Sequence, residues 1–203
     1  MFGSLDLVMI VDIIDKYRYL GVWFDEHLSF EPNCQALADS GGRALGKLLN
    51  KFKSLKNIGY DSFSKLFDAC VYPVLSYGAG IWGMNKAVMI DRVQNRAIRY
   101  FLGVHPKTPI PALQGDMGWL PCNYRRFYDI LRLWNRLVGM ESRLTKAVFL
   151  ADYGSENFNW SWEVGELFDK LQMHNLFVEM TCVEVDQVRP KIEQLLQLSL
   201  IHI

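Results

Sequence analysis

The chain has 203 residues, 50% of them hydrophobic and 22% charged, with a formal charge of zero. That length suits one globular domain, or one with a small appendage, and the balance excludes a disordered or membrane-embedded chain. No uninterrupted apolar run approaches the roughly 18 residues of a bilayer crossing, and the opening MFGSLDLVMIVDIID, without a basic start and interrupted by Asp6 and Asp12, does not read as a signal peptide.

Leu5 to Ile10 and Tyr17 to Phe24 are rich in β-formers, with Asp12 and Asp15 available between them, which predicts an N-terminal hairpin. From about residue 33 the period becomes helical. Leu45, Leu48, Leu49, Phe52 and Leu55 share one face, and Arg43, Lys47 and Lys51 point the other way. Gly41 and Gly42 are expected to loosen or break the start of this helix. A second helix is expected from Asp61 as N-cap, with Phe63, Leu66, Phe67, Cys70 and Val71 inward and Pro73 ending or kinking it. The nearly uncharged PVLSYGAGIWG reads as a buried helix flanked by turns, its small residues allowing close backbone approach.

A third helix is predicted from Lys86 to Leu102. Met89, Ile90, Val93, Ala97, Tyr100 and Phe101 form its apolar face, Arg92, Arg96 and Arg99 a basic ridge, and Gly103 its stop. HPKTPIP is expected to be an extended loop, followed by a short helix near Ala112–Asp116. Tyr124 to Met140 predicts a mostly buried helix with one polar strip, Arg125, Asp129, Arg132 and Arg136, in which the aspartate pairs with arginines a turn away. After the aromatic NFNWSW, two weaker helices are expected near Glu163–Met180 and Val185–Leu198. The fold class is therefore mostly α. A β-hairpin (residues 1–32) leads into a helical region (33–150) and an acidic helical extension (151–203).

No catalytic set is readable. There is no adjacent pair of aspartates, and the only dense acidic spot, Asp12, Asp15, Asp25 and Glu26, falls where solvated turn acids normally sit. The four histidines have no metal-binding spacing, and no cofactor-binding pattern occurs. Cys34, Cys70, Cys122 and Cys182 are scattered, as free thiols of an intracellular protein would be.

Charge distribution points toward nucleic acid. Residues 1–40 carry 2 basic and 7 acidic side chains, residues 41–146 carry 17 and 6, and residues 147–203 carry 3 and 9. A cationic middle between anionic ends suits phosphate binding, and equally suits ends that fold over and neutralise the middle. The candidate contacts are Arg43, Lys47 and Lys51 on one helix and Arg92, Arg96 and Arg99 on another, with Tyr60, Tyr100 and Trp119 available for stacking. Each ridge could also be an ordinary solvated surface.

Three segments in order resemble one family. YRYLGVWFDEHLSF is similar to the block that follows the catalytic palm in non-LTR retrotransposon reverse transcriptases. LFDACVYPVLSYGAGIWG resembles their next block, and RVQNRAIRYFLGVHPKTPIPALQGDMGWLP the third. The resemblance spans about residues 17–121. It implies that Tyr19, Leu20 and Gly21 lie in a hairpin near the primer terminus. Residues 33–102 would form a thumb-like helical bundle that closes on the phosphates of an RNA or RNA–DNA hybrid duplex. It implies that Pro73, Tyr77, Gly78 and Trp82 serve packing. The family's aromatic-x-Asp-Asp motif is not in these residues, so the expectation is a truncated fragment that is not itself an enzyme. An open alternative is that missing upstream exons encode the catalytic part. Another is a fragment that docks a protein partner on apolar surface left bare, with no nucleic-acid role.

Overall fold

A computed structural model of the chain describes residues 14–55, 58–155 and 157–201. The expected strand Leu5–Ile10 lies outside them. The expected strand Tyr17–Phe24 is itself a complete hairpin. Lys16–Tyr19 (β1) pairs antiparallel with Val22–Asp25 (β2), Tyr19 opposite Val22, so Leu20 and Gly21 are the whole turn. Both have positive φ, 46° and 89°, as a tight hairpin turn with right-handed strand twist requires. Glycine adopts that backbone freely and leucine does not. The β-formers on both sides of Gly21 in YRYLGVWF read as one strand, which hid the reversal.

Glu31–Lys53 forms one unbroken helix, α1. Asn33 near its start accepts a hydrogen bond from the Trp23 backbone N–H at 3.2 Å, which ties the hairpin to the helix. Gly41 and Gly42 do not break it. Gly41 is buried, and a Cβ there would overlap the Leu75 side chain, so the glycine serves close packing. Gly41→Val should therefore cost about 1–3 kcal/mol in urea denaturation. Gly42→Ala, whose added methyl would meet nothing within 4 Å, should instead stabilise by up to about 1 kcal/mol.

The second helix, α2, is Tyr60–Cys70, capped by Gly59 rather than Asp61, which falls in its first turn. Phe63 and Phe67 are buried as expected, and so is Val71, but Leu66 and Cys70 face solvent. The apolar stretch after it is not one helix. It makes two short ones, Tyr72–Leu75 (α3) and Ala79–Trp82 (α4), separated by Gly78 in the left-handed region. That break turns Tyr77 toward the hairpin, where its hydroxyl donates to the Leu20 carbonyl at 2.8 Å. A Cβ on Gly21 would sit 2.9 Å from the Tyr77 ring, and one on Gly78 would sit 3.0 Å from Val22. The hairpin is thus seated on the α3–α4 corner through contacts that only glycine permits.

Val88–Leu102 (α5) ends at Gly103, φ 64°, as expected. The following loop is shorter than expected. Ile110 and Pro111 already belong to the helix Ile110–Met117 (α6), because proline is accommodated in a first turn. Cys122–Val138 (α7), Arg143–Tyr153 (α8), Trp160–Lys170 (α9), His174–Val178 (α10) and Arg189–Ile201 (α11) complete the chain, with a 3-10 turn at Val185–Gln187. The helix expected over Glu163–Met180 begins earlier and is interrupted around Gln172, φ 54°. NFNWSW supplies its start: Asn159 accepts from the Trp162 N–H at 2.9 Å, and Asp152 from the Ser161 N–H at 3.0 Å.

The buried side chains fall into two clusters. One joins α1 through α6, with Leu45, Phe63, Phe67, Leu75, Trp82 and Ile98 at its centre. The other gathers α8, α9 and α11 around Ile130, Leu131 and Trp134 of α7. α7 also packs on α4, where a Cβ on Gly80 would lie 2.9 Å from that of Leu133. The small residues of GAGIWG therefore do allow close approach. No described helix is long and apolar enough to cross a membrane.

Candidate nucleic-acid interface

Arg43, Lys47 and Lys51 stand exposed on successive turns of α1, because the core-facing leucines of the same helix claim the opposite side. Arg92 and Arg96 stand exposed on α5 for the same reason. The two helices lie side by side, and the Tyr100 hydroxyl donates to the Leu49 carbonyl at 3.4 Å. Their packing brings Arg43, Arg92 and Arg96 to one open groove, with Asp39, Gly42 and Val93. Lys47 and Lys51 flank a separate shallow depression toward Cys70. Arg99 turns elsewhere: it is half-buried, and its Nη2 donates to the Thr108 carbonyl at 3.3 Å, bracing the loop after α5.

Among the described residues, none of Arg43, Lys47, Lys51, Arg92 and Arg96 forms a salt bridge. Arg43 donates to the Ser40 hydroxyl at 2.8 Å, a neutral partner. The groove therefore presents cationic groups that form no ion pair among the described residues, with the Asp39 carboxylate as a neighbour. Such an arrangement attracts phosphate without reading bases.

The aromatic candidates divide. Trp119 is not available for stacking: it is 8% exposed, lies against the rings of Phe67 and Phe63 at 4.6 and 6.1 Å, and donates to the Ser64 hydroxyl at 3.2 Å. It sits in a turn, where periodicity gives no sign of burial. Tyr60 and Tyr100 are partly exposed, with their hydroxyls held by the Met117 and Leu49 carbonyls.

A second cleft lies where α2, α3 and α7 meet the C-terminal region. Arg125 reaches across it to Asp68 at 2.7 Å and lies 3.5 Å above the Tyr72 ring. The polar strip of α7 therefore pairs as expected on one side only. Asp129 binds Arg132 at 3.2 Å, while Arg125 is taken by Asp68 from another helix. Burial pushes the Asp129 carboxyl above its usual range even though Arg132 opposes the shift, and burial likewise raises the Tyr72 phenol. Since each of these arginines has a carboxylate, this cleft is a weaker anion site than the α1–α5 groove.

Buried polar residues escaped the sequence reading altogether. Arg126 is 1% exposed beneath α4, and Gln94 donates to the Leu120 carbonyl at 3.0 Å while accepting from the Cys122 thiol at 2.9 Å. Burial pushes the thiols of Cys34 and Cys122 up to about 11 and about 12, so both are inert packing groups at neutral pH. No group of three or more His, Cys, Asp or Glu side chains among the described residues is placed to hold a metal ion. No protein-family profile, curated protein sequence or solved structure matches the chain.

Proposed function

We propose that this chain is a thumb-like module of the non-LTR retrotransposon reverse transcriptase type, holding an RNA or RNA–DNA duplex by its phosphates without reading sequence. The observation that carries the reading is the convergence of Arg43, Arg92 and Arg96 from two helices on one groove, exposed and without salt bridges among the described residues. The resemblance adds support of a different kind. Its first two blocks meet in space, because the Leu20–Gly21 turn is seated on Tyr77 and Gly78. No polymerisation step is assigned to these residues, which contain no adjacent aspartate pair. A-form duplexes are recognised largely through shape and backbone, which suits cationic helices lacking a base-reading motif.

Fluorescence anisotropy with a labelled RNA–DNA hybrid tests the proposal. If about four phosphates are neutralised, log Kd against log salt should give a slope of magnitude roughly 3–4. Changing Arg43, Arg92 and Arg96 together to alanine should lower that magnitude to about 1 and weaken binding at least about tenfold at 0.1 M salt. A salt-independent affinity in the wild type rejects the reading. It would favour instead a protein-docking role for the exposed hairpin, whose Leu20 is 75% exposed and flanked by exposed Tyr17 and Tyr19.

A further inference from the structure

The α1–α5 groove contains a residue that phosphate binding alone does not call for. Asp39 stands exposed beside Arg43, Arg92 and Arg96, and its charge repels every phosphate that those arginines attract. An ionised carboxylate is also an acceptor only, so it makes no hydrogen bond to a phosphate oxygen. Along the backbone of a nucleic-acid strand, the group that can donate to it is the 2′-hydroxyl of ribose. The backbone of DNA has no such donor. We propose, resting on the phosphate-holding role above, that Asp39 accepts a hydrogen bond from a ribose 2′-hydroxyl. The groove then tells a ribose strand from a deoxyribose strand.

The carboxylate is set for that contact. The amide of Gln35, one turn back and in the same groove, donates to Asp39 Oδ1 at 2.8 Å. That bond orients the side chain, and among the described residues Asp39 Oδ2 has neither a hydrogen bond nor an ion pair. Arg43, one turn on, has the usual spacing for an ion pair along a helix, yet it donates to the Ser40 hydroxyl at 2.8 Å instead. Acceptor and cation thus stay separate on α1, roughly 6 Å apart along its axis at about 1.5 Å per residue. Sugar and phosphate alternate along a strand on that scale. Arg92 and Arg96 repeat the four-residue spacing on α5.

Gly42 opens the space between them. It lines the groove next to Arg43, and an added Cβ would meet nothing within 4 Å. Unlike Gly41, packing inside the chain does not require it, although glycine costs a helix about 1 kcal/mol relative to alanine. Bare backbone there lets a sugar settle against the helix. An A-form duplex suits such a contact, because its wide, shallow minor groove displays the 2′-hydroxyls while its deep, narrow major groove keeps base edges from side chains. The base donor in a minor groove is the guanine amino group, so a duplex without guanine leaves the 2′-hydroxyls as the donors on offer.

Fluorescence anisotropy at about 0.1 M salt tests this with two probes. One is an adenine-only RNA strand paired to a thymine-only DNA strand. The other is the same hybrid with fluorine in place of every 2′-hydroxyl, which keeps the A-form shape and loses the donor. The wild type should bind the ribose hybrid at least about tenfold tighter than its 2′-fluoro counterpart, because hydrogen bonds to charged groups are the strong ones. Asp39→Ala should bring that ratio to about one, and it should bind the 2′-fluoro hybrid more tightly than the wild type does, since the repulsion is gone. Equal wild-type affinity for the two probes overturns the proposal and leaves the phosphate-holding role standing. So does a ratio that survives Asp39→Ala. Absence of salt-dependent binding to either probe removes the phosphate-holding role, and the selectivity with it.

Discussion

Replacing Trp134 with alanine should cost about 3–5 kcal/mol, a large part of the roughly 5–15 kcal/mol that holds a domain of this size together. Trp134 has no exposed surface and is the hub of the second core. Its indole meets the rings of Phe149, Phe168 and Phe177 at 5.7, 5.1 and 5.2 Å, and its Nε1 donates to the Thr181 carbonyl at 3.0 Å. The next residue completes the anchorage. The Asn135 amide donates to the Val183 carbonyl and accepts from the Val183 N–H, both at 2.7 Å. Truncation would open a cavity that four elements cannot jointly close, because each is also held elsewhere, and would leave the Thr181 carbonyl without its partner. Urea denaturation measures the loss, and limited proteolysis localises it. New cleavage should concentrate beyond Val138, with α1 and α5 protected, since they belong to the other cluster. A loss under about 1 kcal/mol, or early cleavage within α1, would show that Trp134 does not organise the C-terminal helices.

How far the fold could be read from residues follows from which signals are local. The apolar faces of α1 and α5, and the stop at Gly103, are written in side-chain period and one glycine, and they stand as expected except at their ends, where Leu55 lies past α1 and, like Tyr100, is exposed. The hairpin register was not legible. The β-formers on both sides of Gly21 read as one strand, in which that glycine is the single turn signal, and the Tyr77 hydroxyl, 57 positions from Leu20, holds the turn in place. Gly41 shows the same ambiguity from the other side. A glycine inside a helix reads as a breaker until Leu75 is seen against it. Of the candidate groove, the residues were legible and the grouping was not. Period places Arg92, Arg96 and Arg99 on one ridge, but the loop after α5 draws Arg99 to Thr108, while helix packing delivers Arg43 to the other two. Trp119 and Arg126 could not be placed from sequence. One lies in a turn, and the other is a charged residue where burial is the exception.

That exception carries the second large effect. Arg126→Ala should destabilise the chain by about 3–5 kcal/mol, although the residue does not line the groove of Arg43, Arg92 and Arg96. Its Nε donates to the Gly83 carbonyl at 3.2 Å and its Nη2 to the Asn85 carbonyl at 3.3 Å, so the guanidinium closes the turn after α4. It also lies 5.4 Å from the centre of the Trp82 ring. Asp91 supplies the counter-charge, but at 3.8 Å this is an ion pair without a hydrogen bond. Burial accordingly raises the Asp91 carboxyl above its usual range, and Arg126 only partly opposes that shift. A carboxyl raised in this way stabilises the fold while protonated, below its unfolded pKa, and that contribution is lost as pH rises through the folded value. Removing Arg126 would raise Asp91 further, so the deficit of the alanine variant should be largest at neutral pH and shrink as the solution is acidified through the carboxylate range. Adding Asp91→Asn to Arg126→Ala should recover part of the loss at pH 7 and nothing once Asp91 is protonated. A double-mutant cycle run at both pH values reads the coupling directly. Equal losses at the two pH values would mean that the carbonyls of Gly83 and Asn85, and not the Asp91 charge, account for the whole effect.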